Sequence, residues 1–391
     1  MNVGTISLGA VAEVSAGQPA PKAHEFADEG LPFVRAGSLE RLLNGTSENS
    51  LEKISESTAS RMRLRLYPKD TVLFAKSGMS AKLGRVYRLK GPAYVVSHLA
   101  ALTPTGRYDP NYLTYWLRAN PPSRLIKDDA YPSIRTSEIA EMEVPALDVN
   151  EQRRIATILD KADAIRRKRE QALDLADEFL KSVFLEMFGD PLRPKDGLEV
   201  SDIGAECDLY AGNSLPKGEE FRGQDGGILL TKVSDMNSPE NTTEIKSAKL
   251  WAKDDGKIRQ SIIAPSGAIV FPKRGGAIST NKKRVLARKA VLDPNLMGVS
   301  PKPTSRISSE YLRAWFGFID LVTISSGSAV PQLNKKDLDP LPIAIPSHDA
   351  MSTYSRVSKK SSMLRVRLDA ALKEADSAFK ALSQRAFRGE L

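Results

Sequence analysis

A chain that states one pattern twice has few ways to fold, and this one does so at a long period. Leu8-Gly9-Ala10 through Ala16-Gly17 to Pro21-Lys22 returns as Ile203-Gly204-Ala205 through Ala211-Gly212 to Pro216-Lys217, offset by 195 residues. Tyr112-Leu113 with Trp116-Leu117 returns as Tyr311-Leu312 with Trp315-Phe316. Tyr131-Pro132-Ser133-Ile134-Arg135 returns as Val330-Pro331-Gln332-Leu333-Asn334, and both of these pairs are offset by 199. A repeat of about 200 residues is several times longer than a solenoid unit, so it specifies two homologous globular domains. It also implies a pseudo-two-fold axis and chain ends that meet, with the Leu391-to-Met1 junction as the counterpart of the Asp190-to-Val200 link.

Each domain reads as a mixed α/β unit. Short apolar runs such as Leu31-Pro32-Phe33-Val34 and Ala268-Ile269-Val270-Phe271 look like strands, and Asn44-Gly45 and Gly91-Pro92 look like turns. Composition changes abruptly after Val144-Pro145, because residues 150–188 hold neither Pro nor Gly. Ile155, Ile158, Ala162, Ile165, Ala172, Ala176, Phe179 and Val183 fall in steps of three and four, broken only by Arg169. That spacing predicts a long helix with a coiled-coil seam. Asn150, Glu151 and Gln152 supply its cap and acidic first turn, and Gly189-Asp190-Pro191 stops it. After the second domain, Tyr354, Val357, Ser361, Leu364, Leu368, Ala371, Ala375, Ala378 and Leu382 repeat the register 199 residues later. Two such helices around a pseudo-dyad pair antiparallel. The expected order is therefore a domain over 1–149, a helix over 150–190, a domain over 191–348 and a helix over 349–391, an α+β architecture.

The candidates for catalysis are thin. Asn120-Pro121-Pro122-Ser123 resembles the Asn-Pro-Pro-aromatic loop of amino-methyltransferases, but Ser cannot stack on a flipped base. Asp235 with Glu244 and Lys246 has nuclease-like spacing and no counterpart in the first domain. His24, His98 and His348 are scattered, no phosphate loop is present, and Cys207 reads as a buried thiol, so no metal, cofactor or catalytic group is expected. One cysteine, no leader-like N-terminus and no long apolar run suit a soluble, cytoplasmic protein.

Basic residues recur instead at matched turns, in a chain with 57 Lys+Arg against 48 Asp+Glu and a net charge of +9. Lys22 matches Lys217, Arg35 matches Lys232, and Lys76-Ser77-Gly78 matches Lys273-Arg274-Gly275. Beyond these the copies diverge, with Ser80, Lys82 and Arg85 in one and Asn281, Lys282 and Lys283 in the other. Ser133 and Arg135 stand where the second domain has Gln332 and Asn334. A shared frame with divergent polar tips suits DNA reading, since Lys and Arg hold phosphates while variable polar tips read base edges.

The duplicated domain–helix layout resembles the specificity subunit of type I restriction-modification systems. So do Asn150-Glu151-Gln152-Arg153-Arg154-Ile155, Phe184 to Phe188-Gly189-Asp190-Pro191, Gly327-Ser328-Ala329-Val330-Pro331-Gln332-Leu333, and Leu382 through Phe387 to Leu391. The resemblance implies two target recognition domains, each reading half of a split, non-palindromic site on double-stranded DNA. It implies helices that space the domains and form the platform for partners. The partners would be methyltransferase (modification) subunits, two of them by the duplication, and restriction/translocase subunits, with Glu151, Gln152, Arg153, Arg385 and Phe387 as candidate contacts. The chain itself would then be no enzyme. The rival expectations are a stand-alone DNA methyltransferase or nuclease, or a coiled-coil adaptor that does not bind DNA.

Overall fold

The computed structural model describes residues 4–327 and 330–391; Met1, and Ser328 and Ala329 of the Gly327–Leu333 segment, lie outside the described residues. The chain divides into two compact units, residues 1–171 with 369–391, and residues 172–368. Each unit thus combines one α+β domain with half of each long helix.

In the first unit, an antiparallel sheet runs in the order Ala12–Ala16, Leu99–Pro104, Val72–Ala75, Val86–Arg88. Val72 and Phe74 point into one core cluster while Leu73 and Ala75 point into another. Both faces of that strand are covered, which is why it reads as a continuous apolar run rather than an alternation. A smaller sheet, Lys53–Ile54, Leu31–Val34, Tyr94–Val95, ends in a parallel pair.

The second unit repeats this. Cys207–Ala211, Leu296–Pro301, Ile269–Pro272 and Arg284–Leu286 take the same order, and Glu244–Ile245 adds a fifth strand. Gly227–Thr231 and Ala290–Leu292 reproduce the parallel pair. The repeated glycines have a packing reason. A Cβ on Gly17 would lie 2.2 Å from the Val96 carbonyl oxygen, and one on Gly212 would lie 1.7 Å from that of Asp293.

The long helices are Val149–Phe188, 40 residues, and His348–Arg388, 41 residues. The first is capped by Asp148, not Asn150, because the Asp148 carboxylate accepts from the amides of Asn150 and Glu151 at 2.9 and 3.2 Å. Within the first unit the Arg169 guanidinium donates to the Ala371 carbonyl, and Arg166 lies 4.0 Å from Asp376. Within the second, Arg365 pairs with Asp177 at 2.5 Å and Phe184 meets Tyr354. Residue numbers rise on one helix as they fall on the other, so the halves pair antiparallel in each unit.

Four positions of the expected seam turn outward. Ile165, Phe179 and Leu364 are 51%, 57% and 50% exposed, and Ala378 is exposed too. Leu159 is fully buried beside half-buried Ile158, and Arg166, Leu180 and Phe379 take the inward places. The cause lies outside the helices. In the first unit the short helix Pro110–Ala119 inserts against them, with Tyr115 facing Phe379 and Tyr112 facing Phe387 at ring separations of 6.0 and 5.6 Å. In the second unit Ser309–Phe318 does the same, and Phe184 packs within 5.8 Å of Phe188, Tyr311, Phe318 and Tyr354. Each long-helix pair is therefore glued to its domain through one aromatic cluster. Trp116 and Trp315 belong to these cores.

Candidate nucleic-acid interface

Both units build the same edge from two distant segments. In the first, Ser77 bridges Ser133, the Gly78 amide donates to the Pro132 carbonyl at 2.9 Å, and the Ile134 amide donates to the Lys76 carbonyl at 2.8 Å. In the second, Arg274 bridges Gln332, Gly275 donates to Pro331 at 2.9 Å, and Leu333 donates to Lys273 at 2.9 Å. Gly78 and Gly275 sit at φ 73° and 66°, a left-handed conformation that only glycine adopts without strain, and each opens a 3-10 turn at the tip. Pro132 and Ile134 are buried, which leaves Ser133 and Arg135 projecting outward; Gln332 projects in the second unit. The sequence repeats at 76–78 and 131–135 are thus two halves of one site, brought together by three backbone contacts.

The basic candidates sort into three groups. Among the described residues, no ion pair engages Lys22, Lys76, Arg135, Lys217, Lys232 or Arg274; Lys76 is half-buried and the other five are exposed. Arg35, Lys82 and Arg85 are instead held by Glu52, Asp129 and Glu40 at 2.7, 2.8 and 2.8 Å. Arg35 also lies over the Phe26 ring, 5.0 Å from its centroid. Those three serve the domain first, because a neutralised cation attracts phosphate weakly. The third group is drawn inward. Lys273 is only 8% exposed, and burial followed by the neighbouring Arg274 charge holds its ammonium below the usual lysine range. Lys283 donates to the Asn281 side chain at 2.8 Å, and burial pushes it down to about 8. Lys282 donates to Asn237, and Asn281, at φ 50°, also accepts from the Leu321 amide at 3.0 Å. This loop is internally bonded rather than free. Ser80 is half-buried on its turn, and Asn334 starts the helix Lys335–Leu338.

Two partner-contact candidates are corrected. Gln152 is fully buried, its Oε1 accepting from the Asp109 amide at 2.7 Å and its Nε2 donating to the Leu147 carbonyl at 2.8 Å. Phe387 packs into the first unit's core. The polar residues at a helix start and the aromatic at a chain end looked like surface features, but the fold spends both on joining helix to domain. Glu151 pairs with Arg154, while Arg153 and Arg385 are exposed.

The catalytic candidates are committed elsewhere. Asn120 accepts from Arg124 and donates to the Trp116 carbonyl, closing a helix. Asp235 is 2% exposed and accepts from the Lys232 amide at 2.7 Å, so it braces a turn. Burial pushes the Cys207 thiol up to about 12, leaving it protonated and inert. Among the described residues, no cluster of His, Cys, Asp and Glu could hold a metal, and no helix is long and apolar enough to cross a membrane.

What sequence reasoning missed is apolar. Met79, Leu83 and Tyr131 are 67%, 56% and 81% exposed on the first unit's edge. Tyr131 was legible as a repeated position, but its exposure was not.

Residues 2–175 match the type I restriction modification DNA specificity domain family. A specificity subunit of the type I restriction enzyme MjaIX of Methanocaldococcus jannaschii is 24% identical over 249 residues, covering 61% of this chain and 54% of that protein. The match thus spans about half the length of that curated relative. The type I restriction-modification S subunit from M. genitalium shares the fold with a TM-score of 0.57 at 12% identity, covering 99% of this chain and 96% of that one. A chain solved in work on complex assembly and conformational transition of the type I R-M system aligns with a TM-score of 0.56 at 14% identity, covering 100% and 98%.

Proposed function

We propose that this chain, whose residues 2–175 match the type I restriction modification DNA specificity domain family, is the DNA-reading subunit of such a system. Each domain reads one half of a split site on double-stranded DNA, and the site is not palindromic because the tips differ. Methyl transfer and cleavage belong to partner chains, modification and restriction subunits that the long helices carry, with Arg153 and Arg385 among the exposed side chains that meet them. The chain carries no catalytic residue or cofactor of its own and works in the cytoplasm, where the DNA is.

The observation that carries this reading is the doubled edge, the same three backbone contacts in each unit with different outward side chains. In the first unit Lys22 and Lys76 hold phosphates while Ser133 and Arg135 face bases. In the second, Lys217, Lys232 and Arg274 hold phosphates while Gln332 and Asn334 face bases. Such a division gives affinity to the frame and sequence to the tips. Methylation mapping tests it, using DNA modified by this chain with its modification partner. The expected result is one interrupted site with two unlike halves, and replacing residues 131–135 changes one half alone. A continuous or palindromic site, or methylation independent of this chain, refutes the reading.

A further inference from the structure

The first unit's edge carries a feature that polar base reading does not use. Met79 and Leu83 stand on the 3-10 turn Met79–Leu83, and Tyr131 stands two residues before Ser133, whose bridge to Ser77 pins this segment to it. Lys82 and Asp129 add an ion pair across the same two segments at 2.8 Å. Tyr131 is 81% exposed, Met79 67% and Leu83 56%. A lone exposed apolar residue on a protein surface means nothing. Here three large ones come from two distant segments onto one edge, bordered by the unpaired cations Lys76 and Arg135. The hydrophobic effect gives no folding reason to keep them there, because so little of their surface is buried.

The duplication supplies a comparison within the same chain. At the matching positions the second unit has Gly276, Thr280 and Val330, and only Val330 of these is a large apolar residue, 56% exposed. The basic frame is common to both units, but the apolar bulk belongs to one.

We propose that Tyr131, flanked by Met79 and Leu83, is a wedge that inserts at a base step in the half-site read by the first domain. The second domain reads its half by polar contacts alone. Apolar side chains inserted between bases unstack them and kink the duplex, and the cost depends on the step deformed. The first half-site is thereby selected partly for a step that unstacks easily, such as a pyrimidine–purine step. This inference rests on the DNA-reading function proposed above.

The test uses the full-length chain, saturated with its modification partner, and duplexes carrying the mapped site with 2-aminopurine placed at each position of the first half-site in turn. Binding should raise the fluorescence severalfold at one step only. Tyr131→Ala should abolish that rise and weaken binding to the specific site by roughly 5- to 150-fold, the range for loss of one aromatic–base stack. Its salt slope and its affinity for unrelated duplex should stay unchanged, and Tyr131→Phe should behave as the parent. The exposure of Tyr131 makes misfolding an unsuitable explanation for such a loss. Specific binding with no rise at any step overturns the wedge and leaves the reading function standing. So does a Tyr131→Ala protein that binds and unstacks like the parent. If the parent shows no sequence-dependent binding, the reading function falls and the wedge falls with it.

Discussion

Replacing Arg274 by alanine should flatten the salt dependence of DNA binding, and replacing its neighbour Lys273 by methionine should not. Arg274 is exposed, and among the described residues it has no carboxylate partner, while its backbone holds the bridge to Gln332. Alanine keeps that bridge and deletes one outward charge. Each phosphate neutralised on duplex DNA contributes about −0.9 to the slope of log affinity against log salt. The Arg274→Ala slope should therefore be shallower by about 0.9. Across the fourfold rise from ~50 to ~200 mM salt, this amounts to roughly a 3.5-fold difference in how much affinity is lost. Lys273 is 8% exposed, and its ammonium is disfavoured by burial. Methionine keeps the buried stem and removes a desolvated charge, so slope and fold should both survive. The assay is fluorescence anisotropy with one labelled duplex over five salt concentrations, run on the parent and both variants. Equal slopes for parent and Arg274→Ala would falsify the assignment of that edge as a phosphate contact. A flattened slope in Lys273→Met would show that the buried ammonium reaches the DNA after all.

Lys283, with its proton affinity pushed down to about 8, gives a pH signature. If it meets a phosphate, DNA affinity should fall as pH rises from 7 to 9, because binding must then take up a proton, and Lys283→Arg should remove the dependence. The same depression means that the unfolded chain binds that proton more tightly, so stability should rise with pH above about 8 toward the ordinary lysine value; thermal melts of parent and Lys283→Arg compare the slopes. Gln152→Ala leaves the Asp109 amide and the Leu147 carbonyl without their buried partner, which should cost about 1–3 kcal/mol per unsatisfied group and appear as a lower denaturation midpoint. Phe184→Ala empties the centre of four aromatic contacts and should cost about 3–5 kcal/mol; urea unfolding that shows less than about 1 kcal/mol would mean that the ring is not what joins helix to domain.

The duplication could be read from sequence because the same packing demands recur. Gly17 and Gly212 each face a carbonyl too near for any Cβ, and Tyr112 and Tyr311 each fill the core of their own unit, so drift at those positions is expensive in either copy. The long helices were equally legible, since 40 residues without a helix breaker and with steps of three and four admit little else. Their seam was legible only in part. Ile155, Ala162, Ala176 and Val183 hold under either phase, but adjacent apolar pairs such as Ile158 and Leu159 leave the alternate steps open. A short helix from elsewhere in the chain decided them.

The proposed DNA-reading edge divides the same way. Residue type and repeat register determined which loops to suspect, because a local pattern survives in sequence. Which cations remain free was a tertiary matter. Glu40, Glu52 and Asp129 neutralise Arg85, Arg35 and Lys82, and burial withdraws Lys273, through contacts between residues 17 to 47 apart or through solvent exclusion. Charge in a sequence is a property of one side chain, but the field it projects depends on what folding sets beside it. The sequence by itself therefore determined two domains, two helices and a basic frame. Only the tertiary structure decided which face of each helix turns inward, which cations stay uncompensated, and that Met79, Leu83 and Tyr131 share one exposed edge.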